Sequence, residues 1–112
     1  MSDCLFCDIA RAQVPATVVH ETERTLAFRD IHPQAPTHVL VIPRDHHADV
    51  ASLAGADPTL LAEVFSAAVA VADQEALSGG YRLLSNTGAD AGQSVSHAHV
   101  HVLGGRPLGP LG

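Results

Sequence analysis

The hydrophobic and polar positions of this chain predict five strands. Apolar runs of four to eight residues bounded by turn residues are typical of strands. These runs are ATVVHET (16–22), TLAFRDI (25–31), THVLVIP (37–43), YRLLSN (81–86) and SHAHVHVLG (96–104). The third run is continuously apolar and is bounded by Pro36 and Pro43, which favours a central, buried strand.

Two further segments have helical spacing. CLFCDIARA (4–12) predicts a short helix that ends before Pro15. A long helix is predicted to begin at Asp57-Pro58, an N-cap followed by a first-turn proline, and to end at Gly79-Gly80. Before it, PRDHHADVASLAGAD (43–57) is expected to be a loop with about one turn of structure. The expected apolar face of the long helix is Leu61, Val64, Phe65, Ala68 and Ala72.

These elements predict the fold class. Strands that gather around one long helix, without βαβ alternation, indicate an α+β fold with a mostly antiparallel sheet. A length of 112 residues suits one domain, 1–112, and a hydrophobic fraction of 46% can fill its core. The tail GRPLGPLG (105–112) is expected to be irregular.

Charge and hydropathy exclude several partners. The formal net charge is −6, with six arginines and no lysine, and nucleic-acid binding needs a basic surface. One small phosphate ligand is still compatible with this charge. The chain has no apolar run of about 18 residues that could cross a membrane. MSDCLFCDIARAQ (1–13) lacks the features of a signal peptide, so we expect a cytoplasmic protein.

Three of the eight histidines occupy alternate positions: His97, His99 and His101. Successive side chains of a strand point to opposite faces, so these rings would share one face while the intervening apolar residues pack on the core. A single strand histidine is usually a satisfied polar residue, but three alternate ones indicate chemistry. They could bind a metal, or supply a nucleophile with support for a phosphoryl group.

The loop before the histidines helps to choose between these chemistries. NTGADAGQS (86–94) contains two glycines, and the free N–H groups of such a loop can form a concavity that binds anions. Glycines mostly make turns, so the signal is weak alone. Placed directly before three alternate histidines, it favours a phosphate ligand.

The same residues resemble a known family. HAHVHVL (97–103) matches the histidine-triad pattern His-φ-His-φ-His-φ-φ, with φ apolar. GQSVSHAHVHVLGGR (92–106) is similar to the Hint-like branch of the histidine-triad (HIT) family, the histidine-triad nucleotide-binding proteins. The likeness continues through LAFRDIHPQAPTHVLVIPRDH (26–46) and GYRLLSNTGADAGQS (80–94). The related nucleotidylyltransferases have Gln at the third triad position, so His101 favours a hydrolase.

The resemblance implies catalytic roles. His99 would attack the α-phosphorus of a nucleoside 5′-phosphoramidate and form a covalent nucleotidyl-histidine. His101 would contact the phosphate, Ser94 would lie near the leaving group, and His38 would sit behind the triad. No divalent cation is implied for this chemistry.

The resemblance also implies how a purine nucleoside monophosphate would bind. Asp30 would accept hydrogen bonds from the ribose hydroxyls, and Asn86 would reach the phosphate or ribose. The amides around Gly92, Gln93 and Ser94 would hold the phosphate oxygens. The expected apolar slot for the base is Phe6, Ile9, Phe28, Ile31 and Leu40.

Two cysteines are spaced as Cys4-x-x-Cys7, and such a pair in a cytosolic protein favours a metal site or a redox role over a structural disulfide. The βαβ context of a redox motif is missing. Zn²⁺ takes four ligands in a structural site. Bacterial zinc-containing members of the family imply that His46 and His97 complete the set. The neighbouring His47 is the alternative to His46, and two free buried thiols are the alternative to a metal.

The implied protein is an adenosine 5′-monophosphoramidase type of hydrolase that cleaves P–N bonds. The alternatives are a dinucleoside-polyphosphate hydrolase and a zinc-stabilised nucleotide-binding or scaffold protein with little turnover. The implied fold is a five-stranded antiparallel sheet with two helices. A homodimer would join two such sheets into ten continuous strands, through the long helix and the fourth strand. The ending PLGPLG (107–112) lacks the tryptophan of the usual Hint tail.

Overall fold

The computed structural model describes residues 2–110 and folds them into helices and one sheet. Its helices are α1 (Leu5–Ala10), α2 (Val50–Ala56) and α3 (Pro58–Gln74), with a 3-10 turn at Ala89–Ala91. Its strands are β1 (Val18–Glu21), β2 (Thr25–Arg29), β3 (Thr37–Pro43), β4 (Tyr81–Leu84) and β5 (Val100–Gly104). None of these helices combines the length and the hydropathy needed to cross a bilayer.

The strands pair antiparallel in the order β1-β2-β3-β5-β4, which confirms the predicted α+β class and sheet. β3 has the predicted bounds, lies in the middle of the sheet and is buried along its whole length. Proline cannot donate to a strand ladder, which explains why the strand ends at Pro43. The expected irregular tail has no helix or strand in residues 105–110, and residues 111 and 112 lie outside the described part.

The two faces of the sheet pack against different helices. α3 covers one face and forms the larger core. The strand residues in that core are Ala27, Val39, Val41, Val100 and Val102. α1 lies against the other face, where a second cluster consists of Phe6, Leu26, Phe28, Leu40 and Ile42. Because strand side chains alternate between faces, β3 and β5 each contribute side chains to the α3 core and to the opposite face of the sheet, where α1 lies.

α3 begins where predicted, but its buried face is rotated about the helix axis relative to the predicted one. The Asp57 side chain accepts the N–H of Leu60 at 3.0 Å, and Pro58 occupies the first turn. The buried residues are Leu60, Val64, Ala67, Ala68, Val71 and Ala72. Phe65, expected on the buried face, is 37% exposed. The packed stripe follows the 3.6-residue spacing that starts at Leu60, which leaves Phe65 at its margin.

The predicted end of α3 at Gly79-Gly80 is wrong. The helix ends at Gln74 because Ala76 adopts a left-handed φ of 57° and the N–H of Leu77 bonds back to the carbonyl of Ala72. This is a Schellman motif with alanine at the position that glycine usually takes. The side chain of Leu77 packs against the α3 core, and this contact favours the motif despite the cost of the alanine.

A third helix, α2, corrects the expectation of two helices and of a loop through 43–57. The Asp49 side chain accepts the N–H of Ser52 at 2.8 Å and caps α2. Leu53 is fully buried in the core next to α3. A helix of seven residues is marginal alone, so its stability comes from this buried contact, which spacing alone did not reveal.

The triad strand is shorter than predicted. β5 begins at Val100 rather than at residue 96, so His97 and His99 precede it. The main chain there bonds outside the ladder: the N–H of Ala98 donates to His47 O at 2.7 Å, and the Ser85 hydroxyl donates to His99 O at 2.7 Å. The alternation of sides still holds, because Ala98 packs in the α3 core.

Candidate active site and metal-ligand cluster

A cavity of about 260 Å³ lies beside α1 and reaches His99 and His101. Its apolar lining is Leu5, Phe6, Ile9, Val14, Pro15, Ala16, Phe28, Ile31, Leu40 and Val95. Its other lining residues are Arg29, Asp30 and Ser94. An apolar slot with a few convergent polar groups is typical of a small-molecule site. We call this the triad cavity below.

His99 lies in the triad cavity with a fixed ring orientation. Its Nδ1 is 2.7 Å from the carbonyl oxygen of His97. A carbonyl can only accept a hydrogen bond, so Nδ1 carries the proton and Nε2 of the neutral ring keeps its lone pair. Phe6 packs edge-on against this ring, with 5.1 Å between centroids. A neutral imidazole in this tautomer can act as a nucleophile through Nε2.

A relay of hydrogen bonds orients the third triad histidine. The N–H of Gln34 donates to His38 Nδ1 at 3.0 Å, so neutral His38 carries its proton on Nε2. That Nε2–H donates to His101 Nδ1 at 2.9 Å, and Asp30 Oδ2 lies 3.4 Å from the same Nε2. His101 must then carry its proton on Nε2. This N–H is buried and has no hydrogen-bond partner within residues 2–110.

Burial keeps both imidazoles of the relay neutral. The pKa of His101 falls to about 4, because burial and then the rings of His99 and His38 disfavour the cation, with Asp30 partly offsetting them. Burial also lowers the pKa of His38, again opposed by Asp30. At pH 7 neither ring is a cation, which agrees with the proton positions that the hydrogen bonds require.

Asp30, His38 and His101 lie within 4.8 Å of one another, close enough to hold a metal by distance alone. The hydrogen bonds argue against a metal there. A metal on His38 Nε2 would move the ring proton to Nδ1, where it would face the N–H of Gln34 at 3.0 Å. The trio is therefore a hydrogen-bond relay rather than a set of metal ligands.

A second cluster fits a metal well. Its members are Cys4, Cys7, His46 and His97, whose donor atoms all lie within 4.8 Å of one another. The Sγ atoms of Cys4 and Cys7 are 3.3 and 3.5 Å from His97 Nδ1. His46 Nδ1 is 3.3 Å from both Cys7 Sγ and His97 Nδ1. Tetrahedral Zn²⁺, with bonds of about 2.3 Å to sulfur and about 2.0–2.1 Å to nitrogen, needs neighbouring ligands about 3.3–3.8 Å apart.

The protonation of His97 suits a ligand. Its Nε2 lies 2.9 Å from Pro43 O, so Nε2 carries the proton and Nδ1 offers its lone pair to the cluster. Burial lowers the pKa of His97 to about 4, although the bond to Pro43 acts in the opposite direction. Burial, followed by the hydrogen bond with Cys4, raises the pKa of Cys7 to about 11, so a metal must displace a proton there.

The glycine loop is held by hydrogen bonds of its own. The N–H groups of Gly92 and Gln93 donate to Ala89 O at 3.0 Å and Gly88 O at 3.1 Å. The Gln93 carboxamide also bonds within this region and to Ala48 O at 2.7 Å. These bonds brace the loop. Of the three amides expected to hold phosphate, that of Ser94 alone has no acceptor within residues 2–110.

A family model described as the HIT domain matches residues 11–108. The chain belongs to the HIT family. The purine nucleoside phosphoramidase of Escherichia coli (strain K12) is 41% identical to this HIT protein over 110 residues, covering 97% of this chain and 92% of the relative. A HIT family hydrolase from Clostridium thermocellum has a TM-score of 0.93 at 41% identity, with coverage of 99% and 97% of the two chains. A histidine triad protein from Clostridium difficile has a TM-score of 0.94 at 34% identity, with coverage of 100% and 98%.

Most residues that the sequence singled out come together in this HIT protein. Those that line the triad cavity are Phe6, Ile9, Phe28, Asp30, Ile31, Leu40, Ser94, His99 and His101. His38 stands behind His101, and His46 rather than His47 belongs to the metal-ligand cluster. Asn86, Gly92 and Gln93 do not line the cavity.

Several lining residues were missed by sequence reasoning. Val14, Pro15 and Ala16 form part of the cavity wall between α1 and β1, and Leu5 and Val95 add to it. A loop that contributes apolar atoms has no periodic pattern. The proline after α1 was the one available signal, because it turns the chain back toward the sheet.

Proposed function

We propose that this HIT protein is a Hint-like hydrolase of the P–N bond in purine nucleoside 5′-phosphoramidates. One observation carries the proposal: the lone pair of His99 Nε2 and the unpartnered N–H of His101 belong to neighbouring rings in one cavity, 5.1 Å between centroids. A nucleophile beside an N–H donor suits attack on a phosphoryl group. The name of the Escherichia coli relative supports the substrate class.

His99 Nε2 would attack the α-phosphorus, forming a bond to phosphorus while the bond from phosphorus to the leaving amine breaks. The amine takes up a proton and departs. Water then attacks the nucleotidyl-histidine, which releases the nucleoside monophosphate and restores His99. The N–H of His101 would donate to a phosphoryl oxygen, where it stabilises charge that grows in the transition state. Ser94, with its free amide, would lie on the side of the leaving group.

The rest of the nucleotide would occupy the apolar part of the cavity. Asp30 would accept hydrogen bonds from the ribose hydroxyls. Its Oδ1 already accepts the N–H of His32 at 2.8 Å, but each carboxylate oxygen can accept more than one hydrogen bond. The base would lie between Phe6 and Ile9 of α1 and the sheet residues Phe28 and Leu40. Ile31, which is 86% exposed, would be covered by the base.

The metal-ligand cluster would hold one structural Zn²⁺. Two thiolates and two imidazoles are a usual donor set for tetrahedral zinc, and all four positions would be filled by protein. Such an ion leaves no place for a water and would activate none. It would join α1, the loop after β3 and the segment before β5, and so stabilise the fold around His99.

A homodimer is the third part of the proposal. β4 is an edge strand, and an unprotected edge favours pairing with a second chain. Val69 of α3 and Tyr81 of β4 line one groove, and they are 48% and 42% exposed. Phe65, one helical turn before Val69, extends the same apolar surface. Pairing of two copies through β4 and α3 would cover these residues and make a ten-stranded sheet.

Turnover of adenosine 5′-phosphoramidate by wild type, H99A and H20A tests the chemistry. His20 lies on the edge strand β1, outside the triad cavity, and H20A controls for the loss of a histidine. We expect wild type and H20A to release adenosine monophosphate at the same rate. H99A should be slower by about 10³-fold or more, as for other covalent catalysts. Wild-type turnover by H99A contradicts the proposal.

The same preparation separates the alternatives. A dinucleoside polyphosphate would be cleaved faster than the phosphoramidate by a dinucleoside-polyphosphate hydrolase. A scaffold protein would bind adenosine monophosphate without measurable cleavage of either compound. Intact mass of the protein denatured at alkaline pH during turnover, where the P–N bond to histidine is stable, should reveal the nucleotidyl adduct in wild type and not in H99A.

A further inference from the structure

The chain returns over the start of β3 directly after the triad strand. Gly105 has a φ of 98°, and a Cβ at this position would lie 2.9 Å from Pro36 Cβ and 3.5 Å from Thr37 N. Both the dihedral angle and the close approach require glycine. The return brings Arg106 to the loop that joins β2 to β3. Its Nη2 donates to Gln34 O at 3.0 Å, and its Nη1 donates to Pro107 O at 2.9 Å.

The main-chain N–H of Gln34 determines which ring nitrogen of His38 carries the proton. Its N–H donates to His38 Nδ1 at 3.0 Å while its carbonyl accepts from Arg106 at 3.0 Å. Its side-chain amide donates to His32 O at 3.1 Å, which stays within the loop. The guanidinium of Arg106 therefore links Gln34 to the chain segment that follows β5, the strand that carries His101.

We infer that Arg106 is a positioning residue for His101, acting through Gln34 and His38; the inference rests on the proposed function. Neutral His38 can carry its proton on either nitrogen. If Gln34 turned away and the proton moved to Nδ1, His38 Nε2 would become an acceptor. His101 would then place its proton on Nδ1 and present a lone pair, not an N–H, to the phosphoryl group. A lone pair there would repel the oxygens that the N–H attracts.

Four proteins test this relay: wild type, R106A, R106K and the control R82A. Arg82 also carries a guanidinium that donates to a carbonyl of the same tail, that of Gly109, and within residues 2–110 it donates no hydrogen bond to the loop of Gln34. R82A therefore matches R106A in lost charge and in a lost tail contact. Lysine keeps a donor for Gln34 O without the planar fork, so R106K is the conservative rescue.

The first measurement is the tautomer of each ring, from long-range ¹H–¹⁵N correlation spectra of the free proteins. We expect wild type and R82A to have His38 and His101 with the proton on Nε2. R106A should show both tautomers of His38, and R106K should restore the wild-type pattern. A wild-type spectrum with the His38 proton on Nδ1, or an R106A spectrum like wild type, overturns the inference. This readout needs no turnover, so it stands apart from any failure of the proposed function.

The second measurement is turnover of adenosine 5′-phosphoramidate. Removing one hydrogen-bond donor to transition-state charge costs on the order of 10²–10³-fold, so partial loss in R106A should lower kcat about tenfold, with KM within about twofold of wild type. R106K should recover most of this rate, and R82A should match wild type. An equal loss of kcat in R82A and R106A would mean a general effect of the tail and would overturn the inference. If R106A does not fold, R106M takes its place in both measurements, because methionine keeps an apolar stem but offers no donor to Gln34 O.

Discussion

The carbonyl oxygen of His97 accepts the Nδ1–H of His99 at 2.7 Å. The ring of the same His97 faces Cys4 at 3.3 Å and His46 at 3.3 Å. One residue thus serves two sites, the metal-ligand cluster with its side chain and the proposed nucleophile with its main chain. A metal that fixes His97 would also fix the acceptor that keeps the His99 proton on Nδ1.

The adjacent histidines 46 and 47 give a matched test of the metal. His46 belongs to the cluster, whereas His47 contributes its carbonyl to Ala98. We expect H47A to retain about one zinc per chain and H46A to lose most of it, because three ligands bind a structural ion far less tightly than four. The melting temperature of H46A should fall by at least about 5 °C, equivalent to roughly 1 kcal/mol in a chain of this size.

Elemental analysis of protein purified without a polyhistidine tag, together with thermal unfolding, makes this measurement. Chelation of wild type should reproduce the H46A melting temperature. Equal zinc in H46A and H47A would remove His46 from the ligand set. Zinc below about a tenth of an equivalent in wild type under reducing conditions would leave Cys4 and Cys7 as plain thiols.

The fold could be predicted where sequence signals are local. Pro36 and Pro43 gave β3 its bounds, and Asp57-Pro58 gave α3 its start. The signals failed where packing decides. α2 depends on the burial of Leu53, and the end of α3 depends on the contact of Leu77 with the core, and neither contact is visible in a spacing pattern.

The site, like the fold, could be predicted only where the signal is local in the sequence. Alternation alone places His97, His99 and His101 on one side of the chain, and this arrangement is present. The choice of His46 over His47 depends on the path of the loop after β3, so the sequence left it open. The bonds of Gly92 and Gln93 within their own loop likewise depend on the turn geometry at Gly88 and Ala89 rather than on residue type.

The low pKa of His101 predicts a loss of stability in acid. Its pKa is about 4 in the folded protein and 6.5 ordinarily, so below pH 6.5 the unfolded chain binds a proton that the folded chain refuses. The free energy of unfolding should fall as the pH falls from 6.5 to about 4, by up to about 1.4 kcal/mol per pH unit from this group. Above pH 6.5 His101 makes no contribution.

Urea unfolding at pH 7.5 and pH 5 checks this, with H101Q as the comparison at the same metal content. The other titratable groups are present in both proteins, so their contributions to the change in unfolding free energy cancel in the difference. H101Q should lose less stability than wild type over this interval, by roughly 1–2 kcal/mol. The same loss in both proteins would show that His101 takes up its proton as readily in the folded state.

Gly105 should not tolerate a side chain. A Cβ would meet the Pro36 ring at 2.9 Å, and the φ of 98° is unfavourable for alanine. We expect G105A to lower the free energy of unfolding by about 1–3 kcal/mol. Gly109, with a φ of 75° and nothing within 4 Å of its Cβ position, isolates the effect of the angle at the tail. G109A should cost less than G105A in urea unfolding, and an equal cost would remove the role of Pro36.

The proposed dimer gives a prediction about Val69. Wild type should sediment at about twice its chain mass of 11.6 kDa at micromolar concentration. V69D places a charge beside Tyr81 in the apolar groove between α3 and β4, and a buried unpaired charge opposes association strongly. We therefore expect V69D to sediment as a monomer with a near-native circular dichroism spectrum. S66D is the control, because Ser66 is exposed on the same helix but lines the groove toward β1, and it should remain a dimer. A monomeric wild type, or a V69D protein that still dimerises, would mean that this surface is not the interface.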